Sequence, residues 1–148
     1  MNSPTMGVTA SRDALLQPYS VRSFGARIHP DQTRVTFYIA ELRSEQIIAN
    51  FESNRRVALT MSVPWSDNES YQLKGKFVSW RRNNEQDDEF LDEYMARLFD
   101  FAKQRLGLPV EILSRLNIGV YKPSVAVTFD VEMVFGQAPH PGTGERIS

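Results

Sequence analysis

The sequence contains no cysteine. That single absence excludes disulfides, thiolate zinc sites, iron–sulfur clusters and cysteine nucleophiles, and it fits a reducing compartment. An excess of either charge is also missing: 17 Lys and Arg against 18 Asp and Glu leave a formal net charge of −1. No global basic field therefore draws in nucleic acid or an anionic membrane, and pairs such as Arg55-Arg56 and Arg81-Arg82 read as solvated surface. No apolar run approaches the roughly 20 residues that span a bilayer. Met1–Ala10 lacks the basic start and apolar core of a signal peptide. A cytoplasmic protein with no nucleic-acid or membrane partner is expected. Histidine is scarce, with His29 in a turn and His140 near the end, and neither has neighbours that would make it a metal ligand. No Ser-His-Asp order, GxGxxG, Walker loop or HExxH occurs.

What is there suits one ordinary globular domain. The 148 residues are 41% hydrophobic and 24% charged, enough to bury a core without staples. The expected domain covers residues 1–136, followed by a flexible Pro/Gly tail over 137–148.

The hydrophobic pattern predicts six strands. Residues 5–10 form the first, closed by the polar turn Ser11-Arg12-Asp13, and Leu15–Ile28 the second, marked by Pro18 and Gly25 as an edge or a bend. Val35–Ala40 is β-branched and aromatic, so it reads as the third. Arg56–Val63 is the fourth, ended by Pro64, with a loop at Trp65–Ser70. Tyr71–Ser79 alternates as the fifth, and Ser124–Phe135 is the last. Ile47, Ile48 and Phe51 have helical spacing within Leu42–Phe51, with Ser44 as a possible N-cap.

A longer helix starts at Asn83 or Asn84, with Glu85, Asp87, Asp88 and Glu89 complementing its dipole. The last three of these form a metal-friendly cluster that reads more simply as a helix N-terminus. Phe90, Tyr94, Leu98, Phe101, Ala102 and Leu106 line its face, flanked by Leu91, Met95 and Phe99, and Gly107 ends it. A second short helix, Val110–Leu116, begins after Pro109. Connections between strands are too short for parallel crossovers, which predicts an antiparallel sheet closed on itself.

One series of motifs points further. Gln17-Pro18-Tyr19-Ser20-Val21-Arg22 is followed by the turn at 29–34 and by Val35-Thr36-Phe37-Tyr38; a short helix then leads into Asn54-Arg55-Arg56-Val57-Ala58-Leu59, and the fifth strand carries Gln72-Leu73-Lys74-Gly75-Lys76. In this order the series resembles the pyridoxamine 5′-phosphate oxidase-like family, the FMN-binding split barrels, over about residues 6–80. The close, Val127–Gln137 followed by a Pro/Gly stretch, is similar to an uncharacterised branch of that family.

The resemblance implies a six-stranded antiparallel split barrel with a short helix after strand 3 and a helical pair before the last strand. It implies a homodimer holding FMN between subunits, acting as an oxidoreductase-like protein on a small-molecule redox substrate. Arg22 falls where the family places an arginine near the FMN phosphate, and the backbone of Ser23, Phe24 and Gly25 lies where it can follow the flavin ring. Tyr38 on the third strand joins this set. Gly25 is equally readable as a barrel bend, and Arg22 as a solvent-facing strand residue.

The family's second phosphate contact is a Ser/Thr-Arg-Lys type motif entering the short helix. This chain has Glu45-Gln46-Ile47 there, with Arg43 and Ser44 just before. A small register shift brings Arg43, Ser44 and Gln46 into the site; without it, a carboxylate stands beside a phosphate. On the fifth strand, Gln72 and Lys74 match positions that face the flavin edge, or else form the polar face of an amphipathic strand. Three alternatives stay open: a non-catalytic flavin- or haem-binding sensor, F420 in place of FMN, and a barrel that has lost its cofactor. The Arg- and Trp-rich stretch ending in Arg-Leu-x-Pro, by which true pyridoxamine 5′-phosphate oxidases hold substrate phosphate, is not found. Pyridoxamine phosphate is therefore not the expected substrate.

Overall fold

A computed structural model of the chain describes residues 5–62, 69–115, 120–138 and 141–148. Six strands, β1 (Met6–Arg12), β2 (Pro18–Ile28), β3 (Arg34–Ala40), β4 (Arg56–Ser62), β5 (Ser70–Arg82) and β6 (Ser124–Gly136), close into a barrel in the order β1-β2-β3-β6-β5-β4. Every pairing is antiparallel. A single 3₁₀ turn, Glu41–Arg43, leads into α1 (Glu45–Asn54); α2 (Glu85–Leu106) and α3 (Val110–Arg115) precede β6.

Two hydrophobic clusters explain the two classes of helix. Inside the barrel, Val35, Phe37, Ile39, Val57, Leu59, Phe77, Val127 and Phe129 meet Ile47, Ile48 and Phe51 of α1, which plugs one mouth. Each large apolar side chain so buried contributes about 1.5–3 kcal/mol. Outside, Phe24, Tyr38, Ala40 and Ala126 face Leu91, Tyr94, Met95 and Leu98 of α2. β3 is covered on both faces, which is why it reads as a continuous apolar run and not as an alternation.

Several boundaries move. Ser11 and Arg12, expected in a turn, pair with Tyr19 and Pro18 as the end of β1. The turn lies at 13–17, where the Asp13 carboxylate accepts the N–H groups of Leu15 and Gln17, so β2 begins at Pro18. Ser44 does not cap α1 by its side chain, because its hydroxyl donates back to the Glu41 carbonyl. The α2 N-terminus is a capping box in which Asn84 and Asp87 exchange bonds with each other's backbone N–H. Its buried stripe is Asp87, Leu91, Tyr94, Met95, Leu98 and Ala102, the expected face turned toward its Leu91 and Met95 flank, and Leu106 is exposed. Val63, Pro64, the loop from Trp65 to Asn68, Leu116 and His140 lie outside the described residues.

Arg81 and Arg82 are not bare surface charges: Arg81 pairs with Asp87, and Arg82 with Glu41 at 2.9 Å. Beyond β6, in the stretch expected to be flexible, the Gly136 N–H donates to Glu145 and the Ile147 N–H to Val134. Gly142 and Gly144, both at positive φ, supply the backbone freedom for this return. Among the described residues, no helix is long and apolar enough to cross a membrane.

Candidate functional site

The barrel is split at one seam. β2 pairs with β3 only from Phe24 onward, where Phe24 faces Tyr38. Upstream, Pro18–Ser23 is paired to β1 alone. On its other side lies a cleft of about 570 Å³ lined by Tyr19, Ser20, Val21, Arg22, Phe24 and, across the gap, Ala40, Leu42, Arg43 and Val120. Side chains alternate along a strand, so four successive residues can line one wall only if the strand's edge faces it. The cleft thus offers backbone N–H and C=O groups as well as side chains.

Arg22 and Arg43 enter this cleft from different elements, one from β2 and one from the turn before α1. Among the described residues neither guanidinium has a carboxylate partner, whereas Arg27, Arg34, Arg56, Arg81 and Arg82 are all paired. Forked guanidinium donors match phosphate bidentately, so a concavity walled by these two arginines has the chemistry to receive an anion. The Glu45-Gln46-Ile47 stretch, which the resemblance puts at the phosphate motif, does not line the cleft. Ile47 is buried in the barrel, and Gln46 donates to Asn50 at 3.0 Å. Ser44 is likewise turned to Glu41. The wall residues at this corner are Leu42 and Arg43.

The other residues singled out by resemblance are distributed elsewhere. Ser23 is buried, and a Cβ on Gly7 would stand 2.3 Å from its Oγ. Gly25 sits at a bulge between Phe24 and Ala26 with φ +60. A Cβ there would meet the Phe90 ring at 2.8 Å, so α2 fills the space beside it. Tyr38 has no exposed surface for a ligand: it is 0% accessible, and its hydroxyl donates to Asp87 at 3.0 Å. Gln72 and Lys74 stand apart from the cleft, Gln72 donating to Thr60 and Lys74 lying over the Phe135 ring.

A buried polar group that the sequence concealed ties β3, β5 and α2 together. Asp87, 1% exposed, accepts from Arg81, from Tyr38 and from the Asn84 backbone, with Arg27 at 3.8 Å. Burial pushes its carboxyl up, but the Arg81, Asn84 and Tyr38 hydrogen bonds outweigh that and hold it below the ordinary range. Burial, with Asp87 alongside, raises the Tyr38 phenol. Tyr121 packs near Phe24 and donates to Asp92 at 2.8 Å; burial first, and that bond second, push its phenol up to about 12. Both phenols are thereby held in their protonated form near neutrality.

The sequence matches no protein-family model and none of the curated proteins. Solved structures do match. HupZ of Group A Streptococcus aligns over 95% of this chain and 90% of its own at 20% identity and a TM-score of 0.50. An F420 reductase aligns over 89% and 90% at 14% identity and 0.52. A Clostridium acetobutylicum protein related to general stress protein 26, of the pyridoxinephosphate oxidase family, aligns over 93% and 81% at 12% and 0.50. At these identities the likeness is one of fold, and the fold of this chain is the split barrel of the pyridoxamine 5′-phosphate oxidase-like proteins.

Proposed function

We propose that the seam cleft binds FMN and that the chain is an FMN-binding, oxidoreductase-like protein. The observation that carries this reading is that two arginines without a carboxylate partner among the described residues, Arg22 and Arg43, line one cleft beside the open edge of β2. The arginines hold the ribityl phosphate, each charge-assisted contact contributing about 1.5–3 kcal/mol. The β2 edge supplies backbone donors and acceptors for the polar rim of a planar ring, and Phe24 and Leu42 supply apolar surface. A volume of about 570 Å³ lies within the roughly 300–1,000 Å³ of small-molecule sites. Bound flavin supplies hydride or electron transfer, and the protein supplies orientation and charge. The fold it shares with an F420 reductase makes F420 the alternative ring system. The described lining holds no histidine, which favours a flavin over haem.

Besides its two arginines, the lining has one titratable side chain among the described residues, Tyr19. That observation favours a second reading, a flavin carrier or sensor without acid–base catalysis of its own. Pyridoxamine 5′-phosphate is not the expected substrate on either reading, and Arg146 hydrogen-bonds to main-chain oxygens of Ser148 and Glu132. The protein works as a homodimer. Leu42 and Val120, on the cleft rim, are 65% and 45% exposed, and a second copy would cover them.

The test is a titration of FMN followed by quenching of its fluorescence. Micromolar affinity is expected, and no quenching at roughly 100 μM protein sinks the reading.

A further inference from the structure

The outer face of the barrel carries a second hollow, on β1, β4, β5 and β6, strands that contribute no residue to the lining of the seam cleft. Cross-strand partners put Ala10, Ala58, Lys74 and Met133 in one row, since Ala10 faces Ala58, Ala58 faces Lys74, and Lys74 faces Met133. Directly opposed residues share a face. Val57 and Leu59 point into the barrel, so this row points out. Two alanines in mid-row leave a depression where neighbouring positions have long side chains. The resulting hollow is about 510 Å³.

Its rim is cationic. Arg12 and Arg56, two residues along their strands from Ala10 and Ala58, lie on the same face, and Lys74 closes the third side. Arg56 is paired with Glu132 at 3.0 Å. Among the described residues the Arg12 guanidinium has no carboxylate partner, and Lys74 contacts the Phe135 ring, with Nζ 4.8 Å from its centroid. Three cations against one carboxylate leave a net positive rim over an apolar floor. Ala10, Ala58 and Met133 provide that floor, and on the same face the Gln72–Thr60 bond lies one step further along the strands.

We infer that this hollow is a second ligand site, taking a small molecule that carries a phosphate or pyrophosphate group on an otherwise apolar body. Arg12 and Lys74 hold the anion, Arg56 adds charge while tethered by Glu132, and the alanine floor receives the apolar part. The site stands independently of the flavin reading, because none of its residues lines the seam cleft.

The experiment is calorimetric titration with inorganic pyrophosphate at fixed ionic strength, in an Arg22→Ala/Arg43→Ala background that removes the seam-cleft arginines. Binding is expected to persist there. Arg12→Gln or Lys74→Met, surface changes that keep the side-chain stems, should each weaken it about tenfold or more. Ala58→Leu adds bulk in the row between Ala10 and Lys74 without altering charge and should also weaken binding. Loss of binding in the arginine background, or affinity unchanged by Arg12→Gln, Lys74→Met or Ala58→Leu, overturns the inference. A failed FMN titration leaves it untouched.

Discussion

The Tyr38 hydroxyl donates to Asp87 at 3.0 Å across 49 residues of sequence, tying the most buried tyrosine of the barrel wall to the first turn of α2. Arg81, at the end of β5, reaches the same carboxylate. Three elements thus meet at one buried charge. Asp87→Ala should cost about 2–4 kcal/mol, less than a fully desolvated pair because the Arg81 side chain is half exposed. Tyr38→Phe removes one hydrogen bond and should cost about 1 kcal/mol. Urea denaturation of the two variants checks both figures.

The same carboxylate sets an acid limit. Its folded-state pKa lies below the ordinary 3.8, so its stabilisation is complete above that value and is lost as pH falls through the lower folded value. Wild-type stability should therefore drop below about pH 4, and Asp87→Asn should flatten part of that drop. An unchanged acid limb in Asp87→Asn would mean other carboxylates carry it.

Gly75 marks a place where backbone meets backbone. A Cβ there would stand 1.9 Å from the Asp130 carbonyl oxygen, at the β5–β6 bulge. Carbonyl oxygen in a paired strand has no rotamer to escape into. Gly75→Ala should cost about 3 kcal/mol or more, visible as a lowered melting temperature or as insoluble protein.

Most strands and all three helices are legible in the sequence because their periods are clean: β4 alternates, and α2 carries its caps and stripe over 22 residues. The errors have identifiable causes. Turn composition at Ser11-Arg12 loses to ladder pairing with Tyr19 and Pro18. Asp87 reads as a helix-dipole carboxylate because nothing local reveals that Arg81 and Tyr38 converge on it. The same limit applies to the cleft. Arg22 and Arg43 are visible as candidates, but their approach depends on where β2 leaves β3, which is a matter of register between distant strands. Tyr38 is named by the resemblance alone, and nothing local in the sequence reveals that α2 covers the outer face of β3.

Light scattering should return a particle of about twice the 16.9 kDa chain mass, the C₂ dimer that is commonest among soluble homo-oligomers. Leu42→Asp, which puts a charge on an exposed apolar rim residue, should shift the population to monomer. A wild-type monomer at working concentration would contradict the dimer.

The most direct test of the phosphate grip compares FMN with riboflavin, which has the same ring and no phosphate, in wild type, Arg22→Ala and Arg43→Ala. Each arginine lines the cleft without a carboxylate partner among the described residues, so each should act on the phosphate alone. The predicted result is a loss of about tenfold or more in FMN affinity for each variant, with riboflavin affinity nearly unchanged. Equal weakening of both ligands, or of neither, would contradict the account.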